Sequence, residues 1–319
     1  VTKPNTEVGL PSFADLPAVI SHALVGGGKP PFAALRGRYD KVVLVVLDGF
    51  GRRFLERHAR HSLVQRFQDD GVVVPLRSQF PSTTTAHMTT LHTGLPTREH
   101  GLYEWNVYEP SLDRIICPLP FCYAGDHERE TLVRAGVDPA ELFPFETFYE
   151  RLMMEGVPTT VLADAEFVPS SYTDAMFRGV ELVVPTHALA PAIVALGREL
   201  ARPGPRYVFL YDGWIDYIGH LHGPDSEEFD AQCEATLTLI ERHLLPRLKS
   251  GTLLLVTADH GQITTDLAAT VFLDKIWPPI RDHLRTGRHG RPLPAAGSPR
   301  DVFLHVRQED LSVVESALA

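Results

Sequence analysis

Short runs of aliphatic and β-branched residues, several closed by an acidic residue, alternate along this chain with stretches whose apolar positions recur every three or four residues. The run Lys41 to Leu47 reads KVVLVVL, apolar at consecutive positions. That lack of alternation is what a parallel strand covered on both faces requires. Similar runs at Thr159 to Leu162, Tyr207 to Tyr211, Thr252 to Thr257 and Val302 to Val306 predict four further strands. After Asp225-Ser226, the positions Phe229, Cys233, Leu237, Ile240 and Leu244 predict a helix that Pro246 ends. A second helix is predicted from a Thr186 cap through Ile193 and Leu196 to Pro203. Strands alternating with helices imply an α/β fold with a mostly parallel central sheet and helices on both faces. Residues 1–40 read as an N-terminal extension packing on the core, and residues 41–319 as a single domain.

The acidic residues fall at the strand ends. Asp48, Asp212 and Asp259 follow, or nearly follow, the last apolar residue of a predicted strand. In an open parallel sheet the ligand crevice lies beyond the carboxyl ends of the strands, so three such ends can converge on one site. One isolated aspartate there is more simply a cap for the next turn. Three with attendant histidines favour a site. Gly49, after Asp48, lets backbone approach a ligand closely. Asp216 and His220 lie four apart, one helical turn, and so share a face, with His222 just beyond. Asp259-His260-Gly261 places two different ligand types side by side after a strand. Ser82 to Thr85 supply hydroxyls, either as helix caps or as a nucleophile. Carboxylate oxygens, imidazole nitrogens and a hydroxyl together form the inventory of a two-metal hydrolase of phosphate esters.

Composition narrows this further. With 30 Lys plus Arg against 40 Asp plus Glu, the formal charge is −10, which argues against duplex nucleic acid as a partner. A small anionic phosphate ester would therefore need bound cations to reverse the local field. No apolar run approaches the length of a membrane-spanning helix, and Val1-Thr-Lys-Pro-Asn is no leader, so a soluble protein, cytoplasmic rather than secreted or periplasmic, is expected. Cys117, Cys122 and Cys233 lack zinc-site spacing and read as buried, idle thiols in preference to a Cys117–Cys122 disulfide.

The order Asp48, Phe80-Pro81 to Thr84, Asp216/His220 and Asp259-His260-Gly261 resembles the alkaline phosphatase superfamily, specifically its nucleotide pyrophosphatase/phosphodiesterase branch, from about Lys41 to Val306. The resemblance implies an alkaline-phosphatase-like fold and assigns the nucleophile to Thr84. His100-Gly101 followed by Asn106-Val-Tyr-Glu-Pro110 is similar to the segment whose asparagine donates to a phosphate oxygen, which implies that role for Asn106. Gly287-Arg-His289-Gly290 fits the segment carrying the last metal-binding histidine, with His305, His283 and His222 as substitutes. One ion is then expected on Asp48, Asp259, His260 and Thr84, and another on Asp216, His220 and His289. Mixed carboxylate and imidazole donors suit Zn²⁺, or Mn²⁺. The expected reaction is hydrolysis of a phosphodiester or nucleotide pyrophosphate through a phosphorylated threonine. Phosphonate C–P hydrolysis or phosphomonoester hydrolysis on the same residues, and a non-enzymatic binding module, are the alternatives. The chain departs from the branch at Thr85, where nucleotide-cleaving members carry an aromatic, at Ala86-His87 in place of Pro-Asn, and at Arg291 in place of a tyrosine. Base stacking would then be weaker or be supplied by another aromatic such as Phe121, Tyr123 or Tyr172, none of which is assigned.

Overall fold

The computed structural model describes residues 10–27, 32 and 37–319. Its strands are β1 (Lys41–Leu47), β2 (Val107–Glu109), β3 (Arg114–Cys117), β4 (Cys122–Tyr123), β5 (Thr159–Asp164), β6 (Leu182–Thr186), β7 (Arg206–Asp212), β8 (Thr252–Thr257), β9 (Ala296–Gly297) and β10 (Val302–Phe303). Five of them form a parallel sheet in the order β6-β5-β7-β1-β8, with helices on both faces. The first strand, β1, lies between β7 and β8; it is buried along its apolar length, and its side chains sort by parity. Val42, Leu44 and Val46 enter one core with Met88, Leu91, Phe148 and Tyr149. Val43, Val45 and Leu47 enter the opposite core with Ile193, Leu196, Phe229 and Leu237. Each such fully buried Val or Leu contributes about 1.5–3 kcal/mol relative to exposure, so register in this sheet is strongly specified.

The predicted β1 and β8 match residue for residue, while β5 and β7 run slightly longer than their apolar runs. Three expectations are corrected. Val302 to Val306 does not join the parallel sheet: only Val302–Phe303 is extended, and it pairs antiparallel with β9. Thr186 is no helix cap, because it ends β6, an edge strand whose partly exposed Leu-Val-Val-Pro-Thr lacked the full burial signature of its neighbours. The helix after it spans Leu189–Ala201 from Ala188, with no side-chain cap. The helix from Glu227 ends at Leu239 and continues to Pro246 only through a wider π turn, Ile240–Leu244, and a 3₁₀ turn.

Within the N-terminal forty residues, the helix Leu16–Leu24 places Leu16, Val19, Ile20, Ala23 and Leu24 in the core beside Val42, Leu44 and Met88. A small antiparallel sheet, β2-β3-β4, packs over its own apolar cluster. Among the described residues no helix is long and apolar enough to cross a membrane. Cys117, Cys122 and Cys233 are buried and free.

Candidate metal centre and nucleophile

The parity that sorts the core also sorts the acids. Asp48 follows β1 on the face of Val46, and Asp259 lies two residues beyond β8. On β7, Tyr211 belongs to the same face and its hydroxyl donates to Asp48 Oδ2. Asp212 belongs to the opposite face with Leu210, although its backbone carbonyl accepts from Asp48 N–H at 2.9 Å. Asp48 and Asp259 are 4% and 3% exposed, and His260 completes with them a group whose donor atoms lie within 4.8 Å of one another. Asp48 Oδ1 and Asp259 Oδ2 are buried without a hydrogen-bond partner. Burial, followed by repulsion from Asp259 and Asp216, raises the Asp48 carboxyl well above its ordinary range. Two buried carboxylates with orphaned oxygens are costly unless a cation neutralises them, and this donor set fits one.

His260 is oriented for that role. Its Nδ1 donates to the Gly261 carbonyl at 3.0 Å, which leaves the Nε2 lone pair directed at the acids, 3.3 Å from Asp48 Oδ1 and 3.7 Å from Asp259 Oδ2. Glycines permit the close approach. A Cβ on Gly51 would lie 2.7 Å from the Gly261 Cα, and one on Gly49, whose φ is +74°, would lie 3.1 Å from Asp216. Gly49 N–H in turn donates to Asp259 Oδ1 at 3.2 Å.

The hydroxyl comes from the helix Thr84–Thr93. Thr83 is its cap, accepting from Ala86 N–H, and Thr85 is buried at 1% exposure. Thr84, between them and partly exposed, places Oγ1 3.0 Å from His260 Nε2. The three adjacent threonines thus have three different environments. His87 fixes the turn before the helix: it accepts from Gln79 N–H on Nε2 at 3.1 Å and donates from Nδ1 to Thr83 carbonyl at 2.8 Å.

Asp216 and His220 lie on the helix Trp214–His222, with His220 Nε2 3.3 Å from Asp216 Oδ2. Burial works against ionisation of Asp216, but the His220 hydrogen bond, the neighbouring His260 and the Gln262 amide outweigh it and hold the carboxyl low. Gln262 donates to Asp216 Oδ1 at 2.5 Å and to its backbone carbonyl at 3.0 Å. Neither Gln262 nor Tyr211 carried a sequence signal: Tyr211 reads as the last core residue of a strand, and Gln262 has no periodic partner.

Asn106 immediately precedes β2 and pairs with Gly297 across an isolated antiparallel bridge. Its segment meets the turn before Thr84 where Thr83 Oγ1 donates to the Tyr103 carbonyl at 3.2 Å. His289 is exposed in the turn between Gly287 and Arg291, where the adjacent Arg288 N–H donates to Asp113. Among the described residues no side-chain hydrogen bond or ion pair links His289 to Asp216 or His220. The substitutes are also engaged elsewhere: His305 against Tyr108, His283 against Trp277 and Asp310, His222 near Glu228. Of the aromatics considered for base stacking, Phe121 and Tyr172 are core residues at 0% and 4% exposure. Tyr123 lies beneath the Arg114 guanidinium.

A sequence profile described as Type I phosphodiesterase / nucleotide pyrophosphatase matches residues 42–319. The chain belongs to that family. An uncharacterized pyrophosphatase/phosphodiesterase of Schizosaccharomyces pombe is 23% identical over 259 residues, covering 74% of this chain and 47% of its own length. The chain thus spans about half the length of that curated relative. Among solved structures, the murine ectonucleotide pyrophosphatase/phosphodiesterase 5, in an inactive form complexed with AMP, superposes with a TM-score of 0.61 at 19% identity, over 88% of this chain and 70% of its own. The phosphonoacetate hydrolase of Sinorhizobium meliloti, complexed with phosphonoacetate, superposes with a TM-score of 0.50 at 18% identity, over 74% and 61% of the two chains. Both likenesses are likenesses of fold, and with the five-stranded parallel sheet they place this family member among alkaline-phosphatase-like proteins.

Proposed function

We propose that the chain hydrolyses phosphate esters, of phosphodiester or nucleotide pyrophosphate type, with Thr84 as nucleophile and two divalent ions, zinc or manganese, as cofactors. The observation that carries this reading is the placement of Thr84 Oγ1 3.0 Å from His260 Nε2, beside two buried carboxylates that each keep one oxygen without a hydrogen-bond partner. Asp48, Asp259 and His260 would hold one ion together with Thr84, and Asp216 and His220 the other. His289 would join Asp216 and His220 through an approach of the Gly287–Arg291 turn, a separate part of the proposal. Bound divalent ions would lower the pKa of the attacking oxygen and offset charge on the phosphoryl group.

The residues of the chain do the rest. Thr84 Oγ forms a bond to phosphorus as the leaving oxygen departs, and water later cleaves that Oγ–P bond to return the threonine. Thr84 opens a ten-residue helix, so the positive end of the helix dipole faces the incoming anion. Asn106 retains an amide hydrogen for a non-bridging oxygen, and Tyr211 and Gln262 fix Asp48 and Asp216. Thr85 is buried and presents no surface to a base, which supports a substrate range wider than nucleotides. The assembled donor set favours an enzyme over a binding module.

The test is Thr84→Ala beside Thr83→Ala and Thr85→Ala, assayed on a bis-aryl phosphodiester, an aryl phosphomonoester, a dinucleotide and phosphonoacetate. Thr84→Ala is expected to abolish turnover with the fold retained, while the flanking variants keep part of it. Normal turnover by Thr84→Ala refutes the nucleophile. Preference for phosphonoacetate would move the assignment to C–P hydrolysis, and preference for the monoester to a phosphomonoesterase.

A further inference from the structure

Asn106 is held by two contacts whose chemistry differs. On one side its Nδ2 donates to the Gly297 carbonyl at 3.0 Å, and on the other its Oδ1 accepts from the Cys117 thiol at 3.0 Å. A carbonyl only accepts, so Gly297 decides which end of the amide is nitrogen. The oxygen then needs a donor, and the side chain opposite it is Cys117. Backbone bonds to Gly297 at 3.3 Å and 2.6 Å lock the main chain as well. With one Nδ2 hydrogen on Gly297, the second remains unclaimed.

We infer that Cys117 is a positioning residue: its thiol, donating to Asn106 Oδ1, sets the amide plane that aims the free Nδ2 hydrogen at the substrate phosphoryl group. The inference rests on the role proposed above for Asn106. Three further observations support it. Cys117 ends β3 eleven residues after Asn106, and the hairpin β2-β3 pairs Val107 with Ile116, so the two side chains sit side by side at the hairpin's edge. Cys122 is the register partner of Cys117 on β4, so the two thiols lie beside each other on one face of the small sheet. Both cysteines are buried, at 6% and 3% exposure, outside the apolar cluster that Val107 and Ile116 enter. Burial, with the neighbouring Cys122, pushes the Cys117 thiol up to about 12, so it stays protonated and able to donate throughout the neutral range. An ionised thiolate would turn acceptor against acceptor and release the amide.

The experiment is a cycle on the metal-loaded enzyme: wild type, Cys117→Ala, Cys117→Ser, Asn106→Ala and the double Cys117→Ala/Asn106→Ala. Cys117→Ala is expected to lower kcat about tenfold with KM little changed, since a misaimed amide fails mainly as charge builds on phosphorus. Cys117→Ser, which keeps a donor, should recover most of the loss, and Cys117→Ala should cost nothing further once Asn106 is gone. The infrared S–H stretch lost in Cys117→Ser should move to higher frequency in Asn106→Ala, a readout independent of turnover. A tenfold loss that serine fails to recover, or losses that add in the double variant, would overturn the positioning role and leave only packing. Unchanged turnover in Asn106→Ala would refute the role of Asn106 itself, and an unmoved S–H band would refute the hydrogen bond.

Discussion

Asp212 is 5% exposed, its Oδ2 is buried without a partner, and it faces the layer opposite Asp48. Burial, with Asp164 close by, raises its carboxyl from 3.8 to about 7. Folded protein therefore holds a proton on Asp212 that unfolded protein releases above pH 4. A raised carboxyl contributes its full share below the unfolded value, and that share is lost as pH rises through the folded value. Replacing Asp212 by asparagine removes the titration while keeping size and shape. Integrating the difference in protons bound, wild type loses about 2.5 kcal/mol relative to Asp212→Asn between pH 5 and pH 8. The amide itself costs about 1–3 kcal/mol if its hydrogens go unpaired, but that term is the same at both pH values. Urea unfolding at pH 5 and pH 8, with metal supply fixed, reads the difference directly. The expected result is an Asp212→Asn midpoint that gains on wild type as pH rises. A gap that stays constant within about 0.5 kcal/mol would mean that Asp212 is ionised in the folded state, and the burial argument would fail.

Chelation is expected to abolish hydrolysis and Zn²⁺ or Mn²⁺ to restore it, with elemental analysis showing two ions per active chain; full turnover by protein shown to be metal-free would exclude the ions from the mechanism. Gly51 has an ordinary negative φ, so Gly51→Ala is a purely steric change against the Gly261 Cα. It is expected to cost about 1–3 kcal/mol, as overpacking does, and to weaken the ion on Asp48, Asp259 and His260; a thermal midpoint and metal titration equal to wild type would show that the two loops separate freely. His289→Ala should weaken one ion and spare the other, the two ligand sets sharing no side chain, and two unchanged affinities would return His289 to the surface turn where it lies.

The parts of the fold that could be read from the chain are those with unbroken apolar runs, whether fully buried as in β1 or partly covered as in the edge strand β8. β1 and β7 lie inside the sheet, and their unbroken apolar runs have no other explanation. β6 escaped because an edge strand half exposed and interrupted by Pro185 resembles a loop before a helix. Most of the candidate site was legible for a related reason: Asp48 and Asp259 sit where unbroken apolar runs stop, and a charged residue at that point stands out against its neighbours. Asp212 stands out equally and turns to the other face, a distinction only the pleat makes. The small sheet was invisible, its strands two to four residues long and lacking any period. With it went the thiol beside Asn106. His289 shows the opposite limit, a motif match in a segment whose position no periodicity constrains.

The alternation of side chains along β1 bears on the order of events as the chain folds. A slip of one residue against β7 would turn Asp48 away from Tyr211 and toward the layer that holds Leu47. The partner acid, Asp259, is separated from Gly49 by 210 positions, so the two meet only when the far ends of the chain have closed into one sheet. Loop closure on that scale precedes any reward from the contact, and a cation finds its donors only afterwards. Bound metal would thus act as a late latch on a correctly threaded sheet, holding shut what the hydrophobic layers had already aligned.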